Sequence, residues 1–175
     1  GLSMLDDAGV PWQYLAENAP ELRPDQVCDC DALLCLGPRV AAATLHGADR
    51  LALIARFGVG YDNVDVDACT RNGVMLTITP DGVRRPVAAS AMTFILALSH
   101  KLLIKDRLTR AGRWAEKLQH MGMGLTGRTL GIVGFGNIGR ELARLAEPFG
   151  LRRVASDPLA KPAEVASLGV ELLTL

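Results

Sequence analysis

The chain has 175 residues, of which 49% are hydrophobic and 22% charged, and its 19 basic residues balance 19 acidic ones. This composition is typical of a globular protein and excludes the disordered and fibrous classes. The zero net charge gives no support to nucleic acid or a membrane surface as a partner, and no apolar run approaches the ~20 residues that span a bilayer. We therefore expect neither nucleic acid nor a membrane as a partner.

The cysteines carry no metal-binding or redox pattern. None of the four forms a Cys-x-x-Cys pair or lies at metal-ligand spacing from a histidine: Cys28, Cys30, Cys35 and Cys69. Small buried side chains in a reducing compartment are the favoured interpretation, so we expect no metal and a cytoplasmic location. The start has no basic n-region, so we do not expect these first residues to form a signal peptide. Because position 1 is not Met, we expect that some sequence precedes it.

In chain order, the first half alternates short apolar runs with helical patterns. Strands are predicted over residues 32–36, 51–55 and 74–77, and helices over 40–46 and 65–71. The second helix has a natural stop at Asn72-Gly73. Strands separated by short helices are typical of βαβ units, so we expect a parallel sheet.

The middle of the chain is predicted to be a boundary followed by two helices. Residues 79–86 are turn-rich, and Pro86 suits the first position of a long helix to about Leu103, because its missing N–H is not needed there. Few charges in this helix predict burial on more than one side. A more amphipathic helix follows over 102–118, and the glycines of 121–124 break it.

The last part of the chain has the order strand, turn, helix, strand. Strands are predicted over 130–133, 153–156 and 170–172, and helices over 138–149 and 163–168. A glycine-rich turn over 134–139 joins the first of these strands to the first of these helices. Such a turn between a strand and a helix is the usual context of a dinucleotide-binding motif.

That turn has the spacing Gly134-x-Gly136-x-x-Gly139. Gly134 permits the tight turn, Gly136 leaves room for a pyrophosphate, and Gly139 lets the helix pack close to the strand. The N–H groups of Asn137 and Ile138 open the helix without intrahelical partners. We predict that they face the phosphate oxygens of a bound dinucleotide.

Asp157 ends the next strand at about the ~20-residue spacing expected after the glycine motif. We predict that it accepts hydrogen bonds from both hydroxyls of the adenine ribose. Its charge would repel a 2′-phosphate, which favours NAD over NADP. The alternative is that the glycines make a plain tight turn and that Asp157 caps the following loop. The complete order of strand, turn, helix, strand and acid favours the dinucleotide site.

A second glycine loop, Arg56-Phe57-Gly58-Val59-Gly60-Tyr61-Asp62-Asn63, follows the second predicted strand. Backbone N–H groups of Gly58, Val59 and Gly60 are candidates to hold a carboxylate, because small side chains leave the approach open. Asp62 or Asn63 is available to cap the following helix. Taken alone, the loop is more typical of a plain turn.

Together, the Arg-x-Gly-Val-Gly-x-Asp-Asn loop and the Gly-x-Gly-x-Ile-Gly turn resemble the D-isomer-specific 2-hydroxyacid dehydrogenases. That family includes phosphoglycerate dehydrogenase and glyoxylate/hydroxypyruvate reductases. The resemblance implies an α/β fold with two Rossmann-like, doubly wound parallel-sheet domains, both incomplete in this chain. A flavodoxin-like substrate domain without its first strand would cover residues 1–84, and the N-terminal half of an NAD-binding Rossmann domain would cover 85–175.

The resemblance also implies roles for individual segments. Gly58, Val59 and Gly60 would face the substrate carboxylate and the nicotinamide end of NAD, with catalysis in the cleft between the domains. Residues 102–125 would contribute to a homodimer interface. In the family a catalytic Arg, Glu and His follow the second Rossmann strand, past Leu175. We therefore expect a fragment of a longer enzyme, with no catalytic residue of its own and no activity alone.

Two further positions depart from the family pattern. Val87-Ala88-Ala89 stands where many members have Val-Ala-Glu, and Leu36-Gly37-Pro38-Arg39 stands where some have an Arg-Ser pair for a phosphate. The second departure disfavours 3-phosphoglycerate, although Arg39 is a candidate anion contact. The histidines lack a carboxylate at a motif-like spacing and are predicted to lie at helix ends or at the surface: His46, His100 and His120.

The predicted function is an NAD-dependent oxidoreductase that transfers a hydride between NAD(H) and a small 2-hydroxy or 2-keto acid. The alternative is a non-catalytic NAD-sensing or corepressor-like protein on the same scaffold. A third possibility is that the 175 residues are the whole product. Its open sheet edge and exposed apolar faces would then make it aggregate or depend on oligomerisation.

Overall fold

The computed structural model describes residues 1–17 and 19–174. The chain divides into two compact units, Gly1–Pro80 and Asp81–Leu175. Each unit has its own three-stranded sheet, and every strand pair in both sheets is parallel. This architecture confirms the predicted α/β class. The assignment of 1–84 and 85–175 as substrate and NAD-binding domains stays a prediction.

In the first unit, the strand order is β1-β2-β3 and the predicted strands are confirmed: the first and third are one residue shorter than predicted, and the second begins two residues later and ends one residue later. Its elements are β1 (Ala32–Cys35), β2 (Leu53–Arg56), β3 (Met75–Thr77), α1 (Ser3–Asp7) and α2 (Val66–Arg71). Ile54 lies in the middle strand with none of its surface exposed, among the buried side chains Val27, Leu45 and Cys69. Full burial of an aliphatic side chain stabilises the fold by about 1.5–3 kcal/mol.

The helix predicted over 40–46 is instead a short 3₁₀ turn, Ala43–Leu45. Val40 is held in an extended bridge to Val64, which prevents an earlier helical start. The hydroxyl of the buried Thr44 accepts a hydrogen bond from the N–H of Ala41 at 3.1 Å and donates one to the carbonyl of Leu22 at 2.6 Å. The Thr44 hydroxyl thus supplies an acceptor for the Ala41 N–H and ties the short turn to the carbonyl of Leu22.

α2 begins after Asp65, whose Oδ1 accepts the N–H of Ala68 at 2.8 Å. The prediction that Asp62 or Asn63 caps this helix is therefore wrong. Asn63 precedes the extended bridge at Val64, and its Nδ2 donates to the carbonyl of Pro38 at 2.7 Å. This bond joins the loop after β2 to the loop after β1.

The long helix α3 (Pro80–Ser99) begins at Pro80, so the prediction of a start at Pro86 is wrong. Pro80 takes the first helical position, where its missing N–H costs nothing. Asp81 follows in the first turn, where a negative charge is favourable, and pairs with Arg84 at 3.3 Å. Pro86 lies inside the helix, at the cost of one backbone hydrogen bond.

α3 ends at Ser99, before the predicted Leu103, because Lys101 adopts a left-handed conformation with φ 53°. α4 (Leu102–Arg110) is also shorter than predicted. A glycine at position 112 with φ 66° follows it, and residues Trp114–His120 form a 3₁₀ helix. No single helix among the described residues is long and apolar enough to cross a bilayer, although α3 and α4 together match the length and composition of a broken span, bent by 61°.

The prediction that the long helix is buried on more than one side is wrong. In α3, Phe94 and Leu98 are 67% and 78% exposed, whereas burial along this helix is confined to Ala88, Met92 and Ser99. A low content of charged residues indicates that a helix is apolar, but it does not indicate whether other parts of the protein cover it. The exposed side of α3 is an apolar surface.

The second sheet has the order β4-β5-β6, and its predicted strands are confirmed. The elements are β4 (Thr129–Val133), β5 (Arg152–Ser156), β6 (Glu171–Leu172), α5 (Asn137–Ala146) and α6 (Pro162–Ala166). The helix predicted to reach residue 149 becomes a 3₁₀ turn at Glu147–Phe149, since Pro148 has no N–H to continue it. Buried Phe135, Ala143, Ala155 and Val165 form the core beneath this sheet.

Candidate functional site

The glycine-rich turn lies between β4 and α5, and two of its glycines are required by the backbone itself. Gly134 has φ 89°, a conformation that residues with a side chain rarely adopt. A Cβ on Gly139 would collide with the carbonyl oxygen of Gly134. Gly136 differs, because a Cβ there would meet no atom within 4 Å. Its missing side chain therefore leaves room for a ligand and relieves no crowding within the protein.

The N-terminal end of α5 offers free backbone donors. The first hydrogen bond of the helix runs from the N–H of Arg140 to the carbonyl of Gly136 at 3.0 Å. Within residues 1–17 and 19–174, the N–H groups of Asn137 and Ile138 have no acceptor. Free N–H groups and the partial positive charge of a helix start are suited to an anion such as a phosphate.

Phe135 anchors the turn through its side chain and through both polar groups of its backbone. The ring is 1% exposed and is the largest fully buried side chain that the structure describes. The N–H of Phe135 donates to Oδ2 of Asp157 at 2.6 Å, and its carbonyl accepts a hydrogen bond from Nε of Arg140 at 3.1 Å. The turn is therefore held in one shape before any ligand binds.

Asp157 follows β5, beside the glycine-rich turn. Its Oδ1 accepts the N–H of Leu159 at 2.8 Å, so the carboxylate also caps the loop after the strand. The hydrogen bond from Leu159, followed by the one from Phe135, lowers the pKa of this carboxyl below its ordinary value. The loop-capping alternative is thus present in the geometry, and each oxygen retains a second lone pair for a ribose hydroxyl. The ribose contact stays a prediction.

Arg140 and Glu164 are residues of this site that the sequence analysis missed. Besides holding the carbonyl of Phe135, the guanidinium of Arg140 pairs through Nη2 with Oε2 of Glu164 at 2.9 Å. Lys161 lies 3.7 Å from the other oxygen of Glu164. The pair connects the turn to α6. Their spacing in the sequence carries no signal that would have identified them.

α5 also carries a buried carboxylate that the sequence analysis did not single out. Glu141 has a side chain only 9% exposed, and its two oxygens pair with Arg85 at 2.7 Å and Arg144 at 3.4 Å. Near the other end of the helix, Nη1 of Arg153 donates to the carbonyl of Ala143 at 3.0 Å. A buried charge needs such partners, so these contacts fix the helix whose start forms the site.

The second glycine loop follows β2 in the first unit. Gly58 has φ 131°, and its N–H donates to the hydroxyl of Thr79 at 2.8 Å, while the N–H of Thr79 donates to its carbonyl at 2.9 Å. The Thr79 hydroxyl therefore occupies the Gly58 N–H in this structure, and the predicted use of this group for a substrate carboxylate stays a prediction. The N–H groups of Val59 and Gly60 have no acceptor in the described part of the chain. Their substrate role stays a prediction.

The remaining candidates lie apart from the glycine-rich turn in sequence. Arg39 pairs with Glu21 at 3.7 Å. His46 follows the 3₁₀ turn of the first unit, His100 follows α3, and His120 ends the 3₁₀ helix Trp114–His120. Outside the two undescribed positions, the structure contains no cluster of three His, Cys, Asp or Glu residues arranged for a metal ion.

Comparison with known proteins places this site in a family. The family model for the D-isomer specific 2-hydroxyacid dehydrogenase, NAD binding domain, matches residues 92–175. A glyoxylate reductase from Thermococcus onnurineus is 36% identical over 171 residues, which cover 94% of this chain and 51% of that protein. The D-3-phosphoglycerate dehydrogenase of Homo sapiens is 36% identical over 173 residues, 98% of this chain and 32% of that protein. The chain belongs to the D-isomer specific 2-hydroxyacid dehydrogenase family.

The fold of this family member agrees with a solved structure. A D-lactate dehydrogenase from Aquifex aeolicus, complexed with NAD and lactic acid, superimposes with a TM-score of 0.81 at 21% identity, over 98% of this chain and 51% of that chain. The predicted fold of Rossmann-like parallel sheets is confirmed. The chain spans about half the length of the glyoxylate reductase that it matches.

The matched domain is an NAD-binding domain and contains the whole glycine-rich turn, which confirms the predicted cofactor. The residues present fit this cofactor. No atom lies within 4 Å of a Cβ placed on Gly136, so no side chain bars a pyrophosphate from the backbone, and the free N–H groups of Asn137 and Ile138 are donors for its oxygens. The charged carboxylate of Asp157 suits the unphosphorylated ribose of NAD.

Proposed function

We propose that the complete protein is an NAD-dependent oxidoreductase that transfers a hydride between NAD(H) and a small 2-hydroxy or 2-keto acid. One observation carries the proposal: the start of α5, with open space at Gly136 and two free N–H groups, lies inside a domain that matches the NAD-binding domain of this family. The two relatives described above, a glyoxylate reductase and a D-3-phosphoglycerate dehydrogenase, support a substrate of this class.

The cofactor would be held at its adenosine and pyrophosphate parts by residues of this chain. The N–H groups of Asn137 and Ile138 would bind the pyrophosphate, where the helix start contributes roughly half a positive charge. Asp157 would accept hydrogen bonds from the adenine ribose, and its charge would exclude a 2′-phosphate. When bound, NADH supplies the hydride for reduction of a 2-keto acid.

The substrate carboxylate would bind at Val59 and Gly60, whose N–H groups are free of acceptors among the described residues. The bonds between Gly58 and Thr79 hold the loop in place for this contact. The family resemblance implies a catalytic Arg, Glu and His, and we propose that these three residues lie outside this chain. Consequently, this chain alone would bind NAD without turnover.

The direct test of this function is a substrate panel on the full-length protein. We expect NADH oxidation, followed at 340 nm, with at least one of glyoxylate, hydroxypyruvate and pyruvate, and much slower oxidation of NADPH. Saturable NAD binding with no turnover across the panel would contradict the enzyme and favour the NAD-sensing alternative. The 175-residue chain is the matched control and should show no turnover.

We further propose that the protein is a cytoplasmic homodimer that associates through residues 102–125. Large apolar side chains in this segment lie at the surface: Leu102, Leu103, Trp114, Leu118, Met121 and Met123. Exposed apolar patches of this kind are typical of protein–protein interfaces. A second copy of the chain is the proposed occupant. The four free cysteines support a reducing compartment.

A further inference from the structure

We propose that Arg140 is a positioning residue of the cofactor site, which aims the glycine-rich turn at the pyrophosphate without touching the cofactor. Its Nε donates to the carbonyl of Phe135 at 3.1 Å. The proposal rests on the NAD-binding role assigned above, and it adds a mechanism for the shape of the turn. In this mechanism, Arg140 holds the turn in shape and Glu164 holds Arg140.

The planarity of the peptide bond makes this contact consequential. In a trans peptide, the carbonyl of Phe135 and the N–H of Gly136 lie in one plane and point in opposite directions. A bond that fixes the Phe135 carbonyl therefore fixes the direction of the Gly136 N–H. Over the described residues, this N–H has no acceptor, and the space at Gly136 is open. Arg140 thus orients a third donor beside those of Asn137 and Ile138.

Asp157 fixes the neighbouring peptide from the other side. Its Oδ2 accepts the N–H of Phe135 at 2.6 Å, which sets the plane that also contains the carbonyl of Gly134. The two peptides that flank Phe135 are consequently held by one anion and one cation, and the buried ring holds the residue between them. Such preorganisation removes conformational cost from ligand binding.

An arginine suits this position better than a lysine. The planar guanidinium reaches two partners at once: its Nε donates to the carbonyl of Phe135, and its Nη2 forms an ion pair with Glu164 at 2.9 Å. The single ammonium of a lysine has no comparable fork. A cation near a helix start is electrostatically unfavourable, and the carboxylate of Glu164 offsets this charge. The geometry of the contact, and not its charge, therefore accounts for the residue.

The test compares two ligands on the full-length protein. NAD+ contains the pyrophosphate, whereas adenosine contains the ribose and adenine alone. We expect Arg140→Lys to weaken NAD+ binding about tenfold by calorimetry, the effect of losing one hydrogen bond to a charged group. Adenosine binding, measured by saturation-transfer NMR, should not change. Arg128→Lys is the matched control, because Nε of Arg128 likewise donates to a backbone carbonyl, that of Gly124 at 2.9 Å, and it should leave both ligands unaffected.

A second variant separates positioning from general stability. Glu164→Gln releases the outer end of Arg140 and should weaken NAD+ binding severalfold, again without an effect on adenosine. In the double variant the two losses should be less than additive, because both act through the Phe135 carbonyl. Unchanged NAD+ affinity in Arg140→Lys, or equal losses for NAD+ and adenosine, would overturn the proposal. So would failure of the wild type to bind NAD+.

These outcomes are distinct from a failure of the proposed enzyme function. A wild-type protein that binds NAD+ but reduces no 2-keto acid would refute the oxidoreductase. The role of Arg140 would still stand if Arg140→Lys weakens NAD+ binding and leaves adenosine binding unchanged. If the wild type reduces a 2-keto acid but Arg140→Lys changes the affinities for NAD+ and adenosine equally, only the positioning role is refuted.

Discussion

The carboxylate of Asp157 and the backbone of Phe135 are joined by a hydrogen bond of 2.6 Å, from the Phe135 N–H to Oδ2. The residue expected to recognise the ribose is therefore already part of the structure that shapes the pyrophosphate turn. This contact links two parts of the dinucleotide site that sequence motifs treat as separate. It also keeps the carboxyl charged, because its pKa is lowered by the N–H groups of Leu159 and Phe135.

Replacement of Asp157 should affect cofactor choice. We expect Asp157→Ala to weaken NAD+ binding about tenfold or more, since it removes both the ribose acceptor and the bond to Phe135. NADP+ should lose less or gain, because the repulsive charge is gone. Fluorescence titration of the full-length protein gives the dissociation constants for both cofactors, and the ratio of the NADP+ constant to the NAD+ constant measures cofactor choice. An unchanged ratio would count against the role of Asp157.

The lowered pKa of Asp157 predicts a pH dependence of stability. A carboxyl whose pKa is depressed in the folded state stabilises the fold above its unfolded value of about 3.9, and this contribution is lost as the pH falls through the folded value. The urea concentration at the midpoint of unfolding should therefore be higher for the wild type than for Asp157→Asn, by a constant margin from pH 7 to pH 5. The margin should narrow below about pH 4. A margin that widens in acid is the opposite result.

The glycines of the turn should separate binding from folding. Gly136→Ala should retain wild-type stability, since its Cβ meets no atom within 4 Å, yet weaken NAD+ binding about tenfold or more by filling the pyrophosphate space. Gly139→Ala should lower stability by about 1–3 kcal/mol, because its Cβ collides with the Gly134 carbonyl. Gly131→Ala, in open space on β4, is the control for both measurements. Equal behaviour of Gly136→Ala and Gly139→Ala would contradict this division.

The proposed dimer can be tested at the exposed apolar side chains of 102–125. Leu103 and Leu118 are 69% and 73% exposed. A charge placed in an apolar interface is costly, so Leu103→Glu and Leu118→Glu should shift the full-length protein from dimer to monomer in sedimentation velocity. Met4→Glu, at an equally exposed apolar position in the first unit, should leave the dimer intact. Dimers of unchanged affinity in both leucine variants would place the interface elsewhere.

Local patterns were sufficient to predict the strands and the glycine-rich turn. The run 130–133 followed by Gly134, Gly136 and Gly139 predicts a strand, a turn and a helix, and β4 and α5 have that order. The start of α3 was not predictable in this way. Pro80 and Asp81 suit the first turn of a helix as well as a reverse turn, and tertiary context decides between them.

Contacts between distant residues account for the rest of the site. The bonds from Arg140 and Asp157 to Phe135 depend on how α5 and β5 pack, and no spacing rule contains that information. The same holds for Thr79, which occupies the N–H of Gly58 across the loop. The prediction from composition that α3 is buried on more than one side was also wrong. Apolar character does not show whether a surface such as that of Phe94 and Leu98 is covered.

The central claim is that the start of α5 and the carboxylate of Asp157 form an NAD site that discriminates against NADP. Calorimetric titration of the full-length protein with NAD+ and with NADP+ tests it most directly. We predict saturable binding of one NAD+ per chain and affinity for NADP+ at least about tenfold lower, from the repulsion between Asp157 and the 2′-phosphate. No saturable NAD+ binding, or equal affinities for the two cofactors, would contradict the account.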